Sequence, residues 1–203
     1  MHGFPIRGPY ERRKSPCFFI HPISVSIASS ASTISSSSLE EEPALKILTE
    51  SSYNIRKVSN AKIISITGSA GKTSLKELLS YSLKKMSSIT YSKKSYNNKF
   101  GVPLSLFNLK KKDKFGVFEV GMNKKGEINY LTKNITPNLG VITNISYAHI
   151  ENFKNLKEIA KAKSEMMNNI ISNGTIVLNK DDSYFNFLRN IALNKKLKVI
   201  SFS

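Results

Sequence analysis

The run Ile63-Ile64-Ser65-Ile66-Thr67-Gly68-Ser69-Ala70-Gly71-Lys72-Thr73-Ser74 has the residue types, in the order, of a phosphate cradle. A short β-branched run ends in a glycine loop, and a Lys-Thr pair then opens a helical pattern. Backbone N–H groups of such a loop and of the helix start face an anion, and the lysine adds a point charge. The hydroxyl after the lysine is placed to hold Mg²⁺ beside the β- and γ-phosphates. The expected chemistry is therefore the handling of a nucleoside triphosphate. The spacing is compact: the common pattern GxxxxGK[ST] needs glycine at position 66, where Ile66 stands.

Glu119 is the second chemical signal. It lies near the end of the apolar run Phe115–Val120, two residues before Gly121. A carboxylate at the end of a buried strand is costly unless a cation or donors compensate it. A Mg²⁺ shared with Thr73 and the triphosphate meets that need with hard oxygen ligands. His149, after a further strand, reads by itself as a capping or half-buried structural histidine. Lys163, in Ala160-Lys161-Ala162-Lys163-Ser164-Glu165, reads by itself as part of a solvated helix face.

These residues need a frame that collects strand ends. Strands are expected at Lys62–Thr67, Ser88–Tyr91, Phe115–Val120, Leu139–Asn144, Thr175–Leu178 and Leu197–Ser201. Helical periodicity marks Ser74–Met86, with Leu75, Leu78, Leu79 and Leu83 on one face, and also Leu156–Ile171 and Ser183–Leu193. Alternation of this kind predicts an α/β fold with a doubly wound, mostly parallel sheet. Ligands of such sheets lie outside the carboxyl ends of the strands, where Gly68–Ser74, Glu119–Asn123, Ile145–His149 and Asn179–Asp182 all fall.

Before this pattern the chain differs. Nine of the fifteen residues from Ser24 to Ser38 are serine, and Glu11 is the only acid before Glu40, so residues 1–42 are expected to be disordered. They are read first as an unrelated or truncated N-terminus joined to a domain and second, from their basic, serine-rich and acid-poor composition, as an organelle transit peptide. A linker helix is expected over 43–61 and the nucleotide-binding region over 62–203.

One cysteine, Cys17, excludes an internal disulfide framework and a cysteine-rich zinc site. No apolar run approaches the roughly 20 residues that span a bilayer. A cytoplasmic location is expected, or an organelle if residues 1–42 are a transit peptide. The net charge of +17 suggests an anionic partner. The lysines are scattered, however, and only five arginines are present, so nucleic acid is not the expected partner.

Taken together the motifs resemble a family. Thr67–Ser74, Asn97-Asn98 with Gly101-Val102-Pro103, Glu119–Ile128, Asn144 with His149, Ala160–Glu165 and Leu178–Asp182 are similar to the ATP-dependent Mur ligases, which build the peptide stem of bacterial cell-wall precursors. Within them the style is that of the ligases joining D-alanyl-D-alanine to UDP-N-acetylmuramoyl-tripeptide. The resemblance implies that Gly68, Ser69, Ala70, Gly71, Lys72, Thr73 and Ser74 hold ATP. It implies one Mg²⁺ on Thr73 and Glu119 and a second on His149 and Lys163. Lys163 matches a lysine that the family carries as a carbamate, which turns an ammonium into an anionic oxygen ligand. Asn97 and Asn98 match a pair facing the nucleotide-sugar substrate and the γ-phosphate.

The implied reaction is amide formation through an acyl phosphate, with Lys72, His149 and Lys163 serving the chemistry and no side-chain nucleophile. A monomer is expected. Family members have three domains, and this sequence resembles the central one, stopping at Ser203 within it. A fragment bearing half of an active site, inactive or weakly active alone, is the expectation. Folylpolyglutamate synthase shares the superfamily, but typically has Gly-Lys-Gly where this chain has Gly71-Lys72-Thr73. A basic nucleotide- or nucleic-acid-binding module is the reading outside enzymes.

Overall fold

The computed structural model describes residues 37–147 and 152–203, with side chains from residue 42 onward. The segment expected to be disordered therefore lies almost wholly outside the described residues, as does His149.

Helix α1 spans Ser37–Val58 with Pro43 inside it, so the helix begins before the boundary at 42. The apolar period that marks it in the sequence starts only at Ala44. There follow β1 Lys62–Thr67, α2 Lys72–Lys84, β2 Ile89–Tyr91, α3 Gly101–Phe107, β3 Phe115–Glu119 and α4 Glu127–Ile135. The chain continues through β4 Leu139–Ile142, α5 Leu156–Ser164, a 3₁₀ turn Glu165–Asn168, β5 Thr175–Asn179, α6 Phe185–Asn194 and β6 Lys198–Phe202. The six strands form one sheet in the order β2-β3-β1-β4-β5-β6, and every neighbouring pair is parallel.

The two faces are covered unequally. On one, α2 lays Leu75, Leu79 and Leu83 over Ile66, Val117 and Val141. On the other, α3, α4, α5 and α6 bury Ile63, Phe118, Ile142, Ile176 and Leu178, with Ile55 of α1 packed against them. This division positions the site. Side chains alternate along a strand, so Glu119, two residues beyond Val117, points to the face on which α2 begins.

Helix α2 corrects one expectation. Leu78, read as part of the apolar face, is 63% exposed, whereas Lys76 is fully buried and Ser80 nearly so. At about 100° per residue, Lys76 falls just beyond Leu83 at the edge of the stripe that continues to buried Ser80, whereas Leu78 falls beyond Leu75 at the opposite, exposed edge. Hydrophobicity pointed to the wrong residue; helix geometry chose the lysine.

The helix expected over Leu156–Ile171 is also interrupted. It starts as a capped helix, with the Asn155 side chain accepting from the Glu158 N–H. It tightens into the 3₁₀ turn at Glu165, whose carboxylate reaches across to the start of α4. There it accepts from the Gly126 N–H at 2.9 and 3.0 Å and from the Asn129 N–H at 3.2 Å. Gly126 has φ +92 and α4 has no cap of its own, so Glu165 satisfies donors that a helix start leaves open.

Arg56 ties α1 to the rest. Its guanidinium, 8% exposed, donates to the carbonyls of Ile135 and Thr136 at the end of α4, at 2.7 and 2.9 Å. At the other end of the sheet, β6 leaves Ile200 and Phe202 44% and 46% exposed.

Candidate functional site

The glycine loop leaves β1 at the carboxyl edge of the sheet, between the ends of β3 and β4. Gly68 has φ +148, and a Cβ there would lie 1.8 Å from Thr143 Oγ1. Gly71, with φ +78, is the N-cap of α2. The first helical bond is Leu75 N–H to the Gly71 carbonyl, 3.0 Å. The N–H groups of Lys72, Thr73 and Ser74 precede it and are the open donors of a helix start, with the positive end of the helix dipole behind them.

The end of β4 clamps the loop from one side. Asn144 accepts from the Ser69 N–H through its carbonyl, at 3.0 Å, and from the Ala70 N–H through its side chain, at 2.9 Å. Thr143 Oγ1 donates to the Ala70 carbonyl at 2.6 Å. Ser69 Oγ exchanges two 2.9 Å hydrogen bonds with the backbone of Ser146. The N–H groups of Ser69 and Ala70, expected to face an anion, are thus engaged with Asn144, and the helix start supplies the open donors. Thr143 is not among the residues expected at the site, and Ser146 only as part of Ile145–His149; their signal is position, directly after a strand that neighbours β1.

Lys72 is half-buried, and its ammonium donates to the Gly68 carbonyl at 2.8 Å. Burial lowers its pKa, and the charge of Glu119 pulls it partly back up. Glu119 is 1% exposed and lies between two donors: Thr73 Oγ1 donates to one carboxylate oxygen at 2.8 Å and Asn97 Nδ2 to the other at 2.7 Å. Asn97 is fixed in turn, because its carbonyl accepts from the Gly121 N–H at 2.8 Å. A Cβ on Gly121 would come within 2.8 Å of the Asn97 amide oxygen. Asn98 behaves differently: its side-chain oxygen caps α3, accepting from the N–H groups of Phe100 and Gly101 at 3.2 and 2.9 Å. Ser74 is exposed.

Lys163 is not part of a solvated face; it is 3% exposed, on the buried side of α5. Burial, reinforced by the positive charge of Lys72, lowers its pKa to about 7. The structure therefore brings Lys72, Thr73, Asn97 and Glu119 together, with Lys163 close enough to Lys72 to feel its charge; His149 lies outside the described residues. A cavity of about 600 Å³ opens beside Lys72, lined also by Asn97, Asn98, Gly121, Lys124 and Glu127. Among the described residues no three His, Cys, Asp or Glu side chains converge on one point. A hydroxyl and a buried carboxylate 2.8 Å apart at a helix start nevertheless fit Mg²⁺, which takes one or two protein oxygens and fills its shell with phosphate oxygens and water.

A family model of the Mur ligase middle domain matches residues 66–203. The chain belongs to the Mur ligase family. It is 40% identical over 149 residues to a UDP-N-acetylmuramoyl-tripeptide–D-alanyl-D-alanine ligase of Buchnera aphidicola, a match covering 73% of this chain and 32% of that protein. Among solved structures it is similar to MurF from Acinetobacter baumannii, with a TM-score of 0.74 and 32% identity over 78% of this chain and 35% of that one. It is also similar to the MurF ligase of Thermotoga maritima in complex with ADP, with a TM-score of 0.71 and 27% identity over 78% and 36%. The chain spans about a third of the length of the curated relatives it matches. The Mur ligase middle domain is an ATP-binding domain, and its six-stranded parallel sheet is the frame on which the residues above converge. Among the described residues no helix is long and apolar enough to cross a membrane.

Proposed function

We propose that this chain carries the ATP-handling part of a ligase that joins D-alanyl-D-alanine to UDP-N-acetylmuramoyl-tripeptide. The observation that carries the reading is the Thr73 hydroxyl held 2.8 Å from buried Glu119 at the mouth of the glycine loop. Gly68–Gly71 wrap the phosphates, and the N–H groups of Lys72, Thr73 and Ser74 point a helix start at them. Lys72 exchanges the Gly68 carbonyl for a phosphate oxygen. Thr73 and Glu119 hold one Mg²⁺; Lys163, as a carbamate, and His149 hold a second. Bound Mg²⁺ neutralises phosphate charge and helps to gather anionic reactants that otherwise repel. Asn97 and Asn98 border the cavity in which the muramoyl peptide presents its carboxylate.

In this reaction the γ-phosphoryl group passes from ATP to that carboxylate and ADP leaves. The amine of D-alanyl-D-alanine then attacks the acyl carbon, and phosphate departs as the amine loses a proton. The protein's contribution is alignment and charge stabilisation. Residues 66–203, exchanged for the matching segment of the Buchnera ligase, should give ADP formation that requires both the UDP-muramoyl tripeptide and D-alanyl-D-alanine. ADP formation indifferent to these substrates, or elicited by a folate and glutamate instead, contradicts the reading.

The Lys163 proposal has its own test. A lysine in water, with a pKa near 10.4, is almost wholly protonated at neutral pH. With its pKa lowered to about 7, Lys163 presents a large fraction of neutral amine. The amine adds to CO₂, losing one proton and forming the carbamate. At constant dissolved ¹³CO₂, carbamate occupancy should rise as pH increases through about 7, giving one ¹³C resonance that Lys163→Met removes. A resonance that persists in the variant, or none at pH 8, refutes the assignment.

A further inference from the structure

We propose that Lys76 is a positioning residue that sets Asn97 against Glu119 and so shapes the proposed Mg²⁺ site; this rests on the nucleotide reading above. Lys76 is among the largest fully buried side chains of the described residues, at 0% exposure. An ammonium without water is costly unless oxygens surround it. Two do. Its Nζ donates to the Lys94 carbonyl, and the Glu77 carboxylate lies 3.0 Å away. Leucine or methionine would fill the same place on α2 without that cost, so packing does not explain the charge.

What the charge holds is the segment after β2. Lys94 has φ +48, a conformation uncommon for a side-chain-bearing residue, and its carbonyl is the one captured by Lys76. Asn97 follows three residues later. Lys76 also lies three residues, close to one turn, after Thr73, so α2 grips two partners from neighbouring turns. Thr73 takes one oxygen of Glu119, and Asn97 takes the other. The connections close a ring: Lys76 to Lys94, along the chain to Asn97, across to Glu119, back to Thr73 and down one turn to Lys76. Without the Lys76 link, Asn97 is held outside its own loop by the Gly121 N–H and the carboxylate it must orient; its N–H donates within the loop, to the Ser95 carbonyl at 2.8 Å. Glu119 then loses the donor that aims its second oxygen.

The ring predicts an effect specific to the metal. ADP affinity would be measured calorimetrically for the full chain, Lys76→Met, Lys76→Gln, Asn97→Ala and the Lys76→Met/Asn97→Ala double variant, in Mg²⁺ and in EDTA. Lys76→Met should weaken ADP binding in Mg²⁺ about tenfold while changing affinity in EDTA less than about twofold. Lys76→Gln, which keeps a donor for the Lys94 carbonyl, should recover part of the loss. The double variant should lose no more than Asn97→Ala alone, because both remove the same constraint. An equal loss in Mg²⁺ and EDTA, additive losses, no loss, or unfolding of both Lys76 variants would assign Lys76 to the core alone and overturn the proposal. Failure of the unsubstituted chain to bind ADP in either condition defeats the nucleotide reading first, and is seen before any variant is compared.

Discussion

Replacing Lys72 with alanine is expected to weaken ADP binding in Mg²⁺ by about a hundredfold while the chain stays folded. The ammonium is the proposed cationic contact to the phosphates from within the loop, and it is half-buried, where screening by water is reduced. A unit charge facing a phosphate at 4 Å is worth about 4 kcal/mol at an effective dielectric of 20. Some of this offsets desolvation, leaving about 3 kcal/mol, which corresponds to the stated loss. Stability should change little, because the side chain's one hydrogen bond is to the Gly68 carbonyl at the mouth of the site. Calorimetric titration with ADP, beside a urea melt of the same preparation, separates the two effects. Binding that survives in Lys72→Ala would mean that the loop is not the anion site.

Gly68→Ala should cost stability instead, by about 3 kcal/mol. The new Cβ would meet Thr143 Oγ1 at 1.8 Å, and turning that hydroxyl away still leaves Thr143 Cβ and N at 3.0 and 3.1 Å. The turn would also forfeit the hydrogen bond from Thr143 to the Ala70 carbonyl. The φ of +148 adds backbone strain that no repacking relieves. Adding Thr143→Ala should therefore recover only part of the loss, about 1 kcal/mol, in the urea midpoint. Full recovery would show that the close approach, and not the backbone conformation, demands glycine.

The parts of the fold written in local pattern could be read from the chain. Short apolar runs placed all six strands, and Gly68–Ser74 could be singled out as the candidate phosphate loop because it is contiguous. Glu119 was legible because an acid at the end of an apolar strand breaks its surroundings. What could not be read depends on partners distant in sequence. Asn144 engages Ser69 and Ala70 from more than seventy residues away, and Glu165 ends its own helix by capping another. Lys163 looked solvated because its neighbours on the chain are charged, yet the inner side of α5 buries it. Lys76 carried no signal in the sequence: its type says surface, while its place on α2 buries it. Charges placed against their local propensity are where this site and its supports lie.

The central claim is that Thr73 and Glu119 hold a metal-bound nucleotide, and Mg²⁺-dependence of ADP binding tests it most directly. The unsubstituted chain should bind ADP about tenfold more tightly in Mg²⁺ than in EDTA, and Glu119→Gln should erase that difference while retaining the weaker, metal-independent affinity. Equal affinity in Mg²⁺ and EDTA, or a Glu119→Gln variant as responsive to Mg²⁺ as the parent chain, would contradict the account.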